Sequence, residues 1–478
     1  MYERLHAKKE ELGRLNIEHQ KQPELFQQKT FVDDAAMLDE FGIHIPGKEK
    51  FLLGALKLWP EDFIVEEIAK DGSVSHIFPS PAAETGAQTK VLTATLVKCN
   101  ISTLEAIDDL ARLLNIPKEN IGYAGMKDKE AVTAQRISLR GVGVEQVEGA
   151  QSPFFFLKDA RYGGGDIQRG ALRGNRFTIL VRTDVSLAES AHGEVLARAL
   201  ERVHEKGFYN FFYLQRFSIP RLRNYQWAYD ILKGNYKEAV YDIITTETTR
   251  ELSFFKNIRA ELEKSFGKWS EMEQLIAPYP MTFVHELKIV RHLSAHDGDF
   301  AGALASIPDQ ITIWLNALGS LFFNKKISEY AVRGQEPPHE LPFFLSVQSR
   351  DQAVYRELLQ KYELWPIPFH NLAPFPFIKT KGGHSVPTIA RAKILKAEVT
   401  SQGLLFEFEL AKGQYATTFL SHVFNLLSGP LPPTVQIERI DSKNIFKEGS
   451  LGETLARFQS VTIETTETDL GQLLAKGD

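Results

Sequence analysis

The chain has 478 residues, 43% hydrophobic and 24% charged, an ordinary globular composition long enough for two or three domains. A net charge of −5 argues against a uniformly basic nucleic-acid coat, and the single cysteine, Cys99, excludes an intrachain disulfide and a thiolate zinc cluster. No run of about 18 uncharged apolar residues suggests a membrane helix, and the charged start, MYERLHAKKEELGRL, lacks the apolar centre of a secretory leader, so a soluble, cytoplasmic chain is expected.

Residues 1–48 read as a polar helical arm followed by a loop. From Phe51 the texture becomes β-rich, with strands expected at Ile64-Val65-Glu66-Glu67 and over Leu92 to Val97. Ser102 to Asn115 reads as a helix: Ser102 and Glu105 make a capping box, and Ile107, Leu110, Ala111 and Leu114 follow the helical period up to Pro117. Arg136 to Arg140 alternates as a half-buried strand does, and Phe177 to Arg182 reads as another strand. Trp227 to Phe255 and Ala301 to Tyr330 have helical periodicity. After a proline-rich stretch (Pro366, Pro368, Pro374, Pro376), Leu404 to Leu410 alternates, with Phe406, Phe408 and Leu410 on one face and Glu407 and Glu409 on the other. A helix is expected from Ala416, with Leu420, Val423, Phe424 and Leu427 as its apolar positions. The pattern is that of a sheet-based domain interrupted by a largely helical one.

Positive charge is concentrated locally. Lys158, Arg161, Arg169, Arg173, Arg176 and Arg182 are opposed nearby only by Asp159 and Asp166, and Arg216, Arg221 and Arg223 interleave with Phe217, Tyr225 and Trp227. Such mixtures suit a nucleic-acid surface and equally a solvated strand-and-loop face. Motifs for other chemistries are absent: there is no phosphate loop, no dinucleotide fingerprint, no HExxH and no GxSxG elbow. His292 and His296 have metal-ligand spacing but no evident third ligand, so no metal is expected.

The segment GMKDKEAVTAQ sets Asp128 between Lys127 and Lys129, close after Gly122 and Gly125 and just before a strand. A neighbouring cation keeps a carboxylate ionised, and an anionic oxygen held near a sugar carbon can act as nucleophile or base without a cofactor. The same residues also describe a surface turn of alternating charge.

Tyr123-Ala124-Gly125-Met126-Lys127-Asp128, Ala131-Val132-Thr133 and Gln135 resemble the signature of the TruD family of pseudouridine synthases, aromatic-AG-x-KD-x-x-A-V-T-x-Q. Five further blocks match in the family's order. They are Lys57 with Pro60-Glu61-Asp62-Phe63-Ile64-Val65-Glu66-Glu67; Lys98 to Thr103; Leu172-Arg173-Gly174-Asn175-Arg176-Phe177; Asn210 to Phe217; and Gly413-Gln414-Tyr415-Ala416-Thr417. Two departures stand out. The family's NYFG-x-QRFG is NFFYLQRFS here, with Tyr213 and Ser218 in place of glycines. In the A-x-x-S-x-x-FN block (Ala317, Ser320, Phe323, Asn324), Gly319 stands where many relatives have Gln or Arg.

The resemblance implies an α+β fold. A catalytic domain with a mixed, largely antiparallel pseudouridine-synthase sheet flanked by helices (49–217 and 387–478) would be interrupted by an inserted, mostly helical α/β TRUD domain (218–386), after an N-terminal arm (1–48). It implies cofactor-free isomerisation of a uridine in RNA, expected to be tRNA. Asp128 would be the catalytic carboxylate and Lys57 its ion-pair partner. Tyr415 would stack on the flipped base, with Phe177 and Phe63 as further walls. Asn175 would bond the uracil edge or position Asp128, and Lys127 and Gln135 would contact phosphate or sugar. A monomer is expected, with no membrane partner. Two other readings stay open at this point: a non-catalytic RNA-binding relative, and a metal-dependent phosphodiesterase using Asp128 and Glu130.

Overall fold

The alternating runs after Phe51 fold as strands: β1 (Leu52–Ala55), β2 (Phe63–Ala69), β3 (Val91–Cys99), β4 (Ile121–Tyr123), β5 (Val132–Arg140), β6 (Phe155–Tyr162), β7 (Leu172–Arg182), β8 (Lys393–Thr400), β9 (Gly403–Ala411) and β10 (Phe424–Ser428). The computed structural model describes residues 2–78, 90–343, 348–379, 385–432, 435 and 437–458. The strands join one mixed sheet in the order β10–β1–β7–β2–β5–β3–β6, with β9 also on β7, β8 on β9 and β4 on β5. The β10–β1 and β2–β5 pairs are parallel and the others antiparallel. The fold is thus α+β with a mixed sheet.

Register sets which side chains share a face, because alternate residues point to opposite sides. One row across the sheet runs Lys98, Thr133, Val65, Phe177 and Phe408. Two residues along each strand lie Leu96, Gln135, Glu67, Asn175 and Leu410, on the same face. The helix Thr103–Leu113 covers the far end of this face. It is capped as its sequence predicts, Ser102 Oγ accepting from Glu105 N (3.2 Å) and Glu105 accepting from Ser102 N (3.0 Å). Ala106, Ile107 and Leu110 bury against Leu92, Leu96, Ile137 and Leu139.

The opposite face packs Ile64, Val97, Cys99, Val132 and Ala134 beneath Leu451 and Phe458. Because β2 is buried on both faces, its consecutive carboxylates each need a cation. Glu67 meets Lys127 at 2.6 Å on one face, and Glu66 meets Lys443 at 3.0 Å on the other.

One local expectation changes. The helix from Ala416 ends at Ser421, and Phe424–Ser428 pairs in parallel with Leu52–Ala55 as β10. A short apolar run satisfies either period, and here an open strand edge takes it. Glu407, on the face opposite Phe406 and Phe408 as its alternation predicts, is buried beside the Lys443 ammonium.

The chain divides into two compact units. The sheet belongs to Gly47–Phe208 with Ala390–Glu467, and the other unit combines Met1–Pro46 with Tyr209–Ile389. That second unit is helical, with Asn224–Lys233, Tyr236–Thr245, Ser253–Lys264, Val284–Ala295 and Pro308–Val332 among its helices. The N-terminal arm, more structured than a helix and loop, packs within it: buried Glu11 accepts hydrogen bonds from Met281 N (2.6 Å) and Thr282 N (3.1 Å). Asn324 bonds the main chain of Phe41 and Phe212, tying its block to NFFYLQRFS. Ser218 takes a left-handed φ of 61°, where glycine would be unstrained. The Tyr213 hydroxyl donates to Asp33 at 3.0 Å. Gly319 leaves room for Phe343, whose ring would lie 2.8 Å from an added Cβ.

Candidate active site

The loop between β4 and β5 holds Asp128 and is fastened from below. Gly170 N donates to Ala124 O (2.7 Å), Gln135 Nε2 to Gly125 O (3.2 Å), and Lys127 N to Thr103 Oγ1 (2.9 Å), which in turn donates to Gln135 Oε1 (3.2 Å). Side chains alternate along the loop. Met126 is 67% exposed, Lys127 turns inward to Glu67, and Asp128 turns outward. Lys127 and Gln135 therefore lie buried beneath the loop, as supports rather than as groups offered to phosphate or sugar.

Lys57 Nζ donates to Asp128 Oδ1 at 2.8 Å and lies 4.3 Å from the centre of the Phe63 ring. Its backbone has φ 58°, a left-handed conformation that costs a non-glycine residue about 1 kcal/mol or more and is maintained by its surroundings. Protein crowds Asp128 on most sides, yet 40% of its side chain remains open, so the carboxylate sits in a recess that solvent reaches. Burial pushes its carboxyl up. The charge and hydrogen bond of Lys57, then the charge of Lys98, outweigh that and hold it below the usual carboxylate range.

Lys98 is the residue that sequence reasoning missed. Fully buried, its ammonium donates to Ile101 O (2.8 Å) and to the main-chain O of Asp128 (2.6 Å). Burial draws its pKa down to about 7, with the Asp128 charge opposing and those of Lys127 and Lys57 adding. The signal was present, since Lys98 opens the Lys98–Thr103 motif, but a lysine between a β-rich run and a helix gives no sign that it reaches under a loop 30 residues on.

Tyr415 immediately precedes the helix Ala416–Ser421 and is 46% exposed. Phe177 and Phe63 are buried, Phe177 stacking on Phe408 at 5.2 Å and meeting Phe63 edge-on at 6.1 Å. Of the three aromatics expected around a base, Tyr415 alone presents an open ring. Asn175 lies on the same sheet face, its buried Oδ1 lacking a hydrogen-bond partner. An unsatisfied buried acceptor is costly and suits a position that a ligand donor completes.

His292 and His296 stack on each other at 4.7 Å in the helical unit, with His292 bonded to Asp299. Among the described residues no group of three His, Cys, Asp or Glu side chains could hold a metal ion, and no helix is long and apolar enough to cross a membrane.

The profile of the family described as tRNA pseudouridine synthase D (TruD) matches residues 48–339. The chain belongs to the TruD family. A probable tRNA pseudouridine synthase D of Methanococcus vannielii is 31% identical over 307 residues, covering 60% of this chain and 73% of that protein. A second TruD relative, the probable tRNA pseudouridine synthase D 1 of Methanocaldococcus jannaschii, is 26% identical over 387 residues, covering 77% and 94%. The crystal structure of a putative TruD from Methanosarcina mazei aligns with a TM-score of 0.63 at 22% identity, covering 81% of this chain and 97% of that one, which shows the shared fold.

Proposed function

We propose that this TruD-family chain isomerises a uridine in tRNA to pseudouridine, with Asp128 as its catalytic group and no cofactor. The reaction breaks the N1–C1′ glycosidic bond, turns the uracil and joins C5 to C1′; the proton leaving C5 is balanced by one gained at N1. The observation that supports Asp128 most directly is its carboxylate, held ionised by Lys57 at 2.8 Å while 40% of the side chain stays open. Such an oxygen is available to the ribose of an extruded nucleotide, either at C1′ as nucleophile or as base on the sugar. Extruding the uridine costs a few kcal/mol, and stacking on the open face of Tyr415 would return about 1–3 kcal/mol. The free Asn175 Oδ1 is an acceptor suited to the uracil N3–H. Lys127, Gln135, Glu67 and Thr103 would act through the loop they fasten.

The test is pseudouridine mapping of total RNA incubated with wild type and with Asp128→Asn. The substituted protein should bind RNA with near-normal affinity and form no pseudouridine. Wild-type-like conversion by Asp128→Asn would remove the assignment.

A further inference from the structure

The structure sorts the positive charges that the sequence grouped together. Arg182 is fully buried, bonded twice to Asp62 at 2.9 Å. Arg176 pairs with Glu409 at 2.7 Å, and Lys158 with Asp159 at 2.8 Å. Arg221 bonds the main-chain oxygens of Ile243 and Thr246, and Arg223 approaches Asp242. These cations are consumed within the fold and offer little to a polyanion.

Three arginines of the group remain exposed, Arg161, Arg169 and Arg173; a lysine from another segment joins the last two. Arg169 holds its guanidinium carbon 3.8 Å from the centre of the Tyr123 ring and bonds its hydroxyl. The next residue, Gly170, donates to Ala124 of the Asp128 loop. Lys412 N donates to Arg173 O (3.0 Å), and Lys412 Nζ to Gly170 O (3.3 Å). Lys412 also precedes Tyr415 by three residues in the turn after β9. The three cations thus border the loop of the carboxylate on one side and the turn of the exposed ring on the other. Among the described residues no carboxylate lies within ion-pair distance of any of them.

We propose that Arg169, Arg173 and Lys412 form a phosphate clamp that grips the RNA backbone on either side of the target uridine. This rests on the RNA-modifying reading of the site and adds to it the groups that position the substrate. Contact with the Tyr123 ring fixes the Arg169 guanidinium before RNA arrives, so little side-chain freedom is lost when it meets a phosphate. Lys412 uses one of its three donor positions on Gly170 O and keeps the others. Exposed, uncompensated cations of this kind bind phosphodiesters by releasing condensed counterions, and each phosphate neutralised adds about 0.7 (single strand) to 0.9 (duplex) to the salt slope.

The experiment measures tRNA affinity from 50 to 300 mM KCl for wild type, Arg173→Gln/Lys412→Gln, the triple variant with Arg169→Gln, and Arg198→Gln. Arg198 is a surface cation already paired with Glu194. The double variant should flatten the plot of log Kd against log salt by roughly 1.6 and the triple by roughly 2.4, whereas Arg198→Gln leaves the slope in place. The activity loss should appear as raised KM rather than lowered kcat, and Arg173→Lys should restore most of the slope. An unchanged slope in the double variant, with thermal melting showing it folded, overturns the clamp. Because the slope is read from binding alone, it remains informative even if the wild type forms no pseudouridine, a result that would instead sink the catalytic reading.

Discussion

Replacing Lys98 with methionine removes a charge held in a fully buried position beneath Asp128. Folding lowers this ammonium from an ordinary 10.5 to about 7, so below pH 7 the charge costs the fold on the order of 4–5 kcal/mol. Methionine eliminates that cost but leaves Ile101 O and Asp128 O without a donor, at about 1–3 kcal/mol each. The two effects nearly cancel at pH 6. Because the folded pKa lies below the unfolded one, the unfolded chain binds the extra proton between about pH 7 and 10.5, and wild-type stability rises across that window by up to ~1.4 kcal/mol per pH unit. The variant has no such group. Urea-unfolding free energies of the two proteins should therefore agree near pH 6 and differ by about 2–3 kcal/mol at pH 9, wild type being the more stable. Loss of the tether on the Asp128 main chain should also slow single-turnover isomerisation by about 10- to 100-fold, since small misplacements of a reacting group are costly. Parallel stability curves from pH 6 to 9 would show that Lys98 is not a titrating buried cation and would refute the reasoning.

Other perturbations have equally definite outcomes. With the Asp128 carboxyl held below its ordinary 3.8, activity should persist down to about pH 4. Lys57→Met should move that acid limb upward, because burial then dominates; rates between pH 3.5 and 6 read the difference. Tyr415→Phe should keep most activity and Tyr415→Ala should lose roughly 5- to 150-fold, the equivalent of 1–3 kcal/mol of stacking; equal losses would implicate the hydroxyl. Gly319→Gln should lower the thermal stability of the helical unit by about 1–3 kcal/mol, as its Cβ would press on the Phe343 ring at 2.8 Å.

Much of the sheet was legible because period-2 alternation and turn residues survive in the sequence: Ile64 to Glu67, Leu92 to Val97 and Leu404 to Leu410 all lie in strands. The capping box at Ser102 and Glu105 marked its helix for the same local reason. Phe424 to Leu427 misled because a four-residue apolar run has no period of its own, and the partner that decided it, Leu52–Ala55, lies some 370 residues away. At the site, motif order singled out Asp128 and Lys57, and the structure joins them at 2.8 Å. Which side of the loop each neighbour takes was not legible. Lys127 and Asp128 are adjacent, yet one is sealed against Glu67 and the other open, a distinction set by Thr103, Gln135 and Lys98 from three other segments. Glu407 illustrates the same limit, since alternation placed it opposite Phe406 and Phe408 but gave no hint of Lys443.

The pairing of Lys443 with Glu66 on the central strand has a consequence for biosynthesis. Glu66 leaves the ribosome early, whereas Lys443, the ammonium that neutralises it, follows some 377 residues later. Until then that carboxylate on the central strand is held only by the Ile77 N–H at 3.0 Å and by His76 at 3.2 Å, and the missing buried cation is worth about 3–5 kcal/mol against closing the sheet. The intervening helical unit has time to form first, and nascent chains or truncations stopping short of position 443 should depend on chaperones.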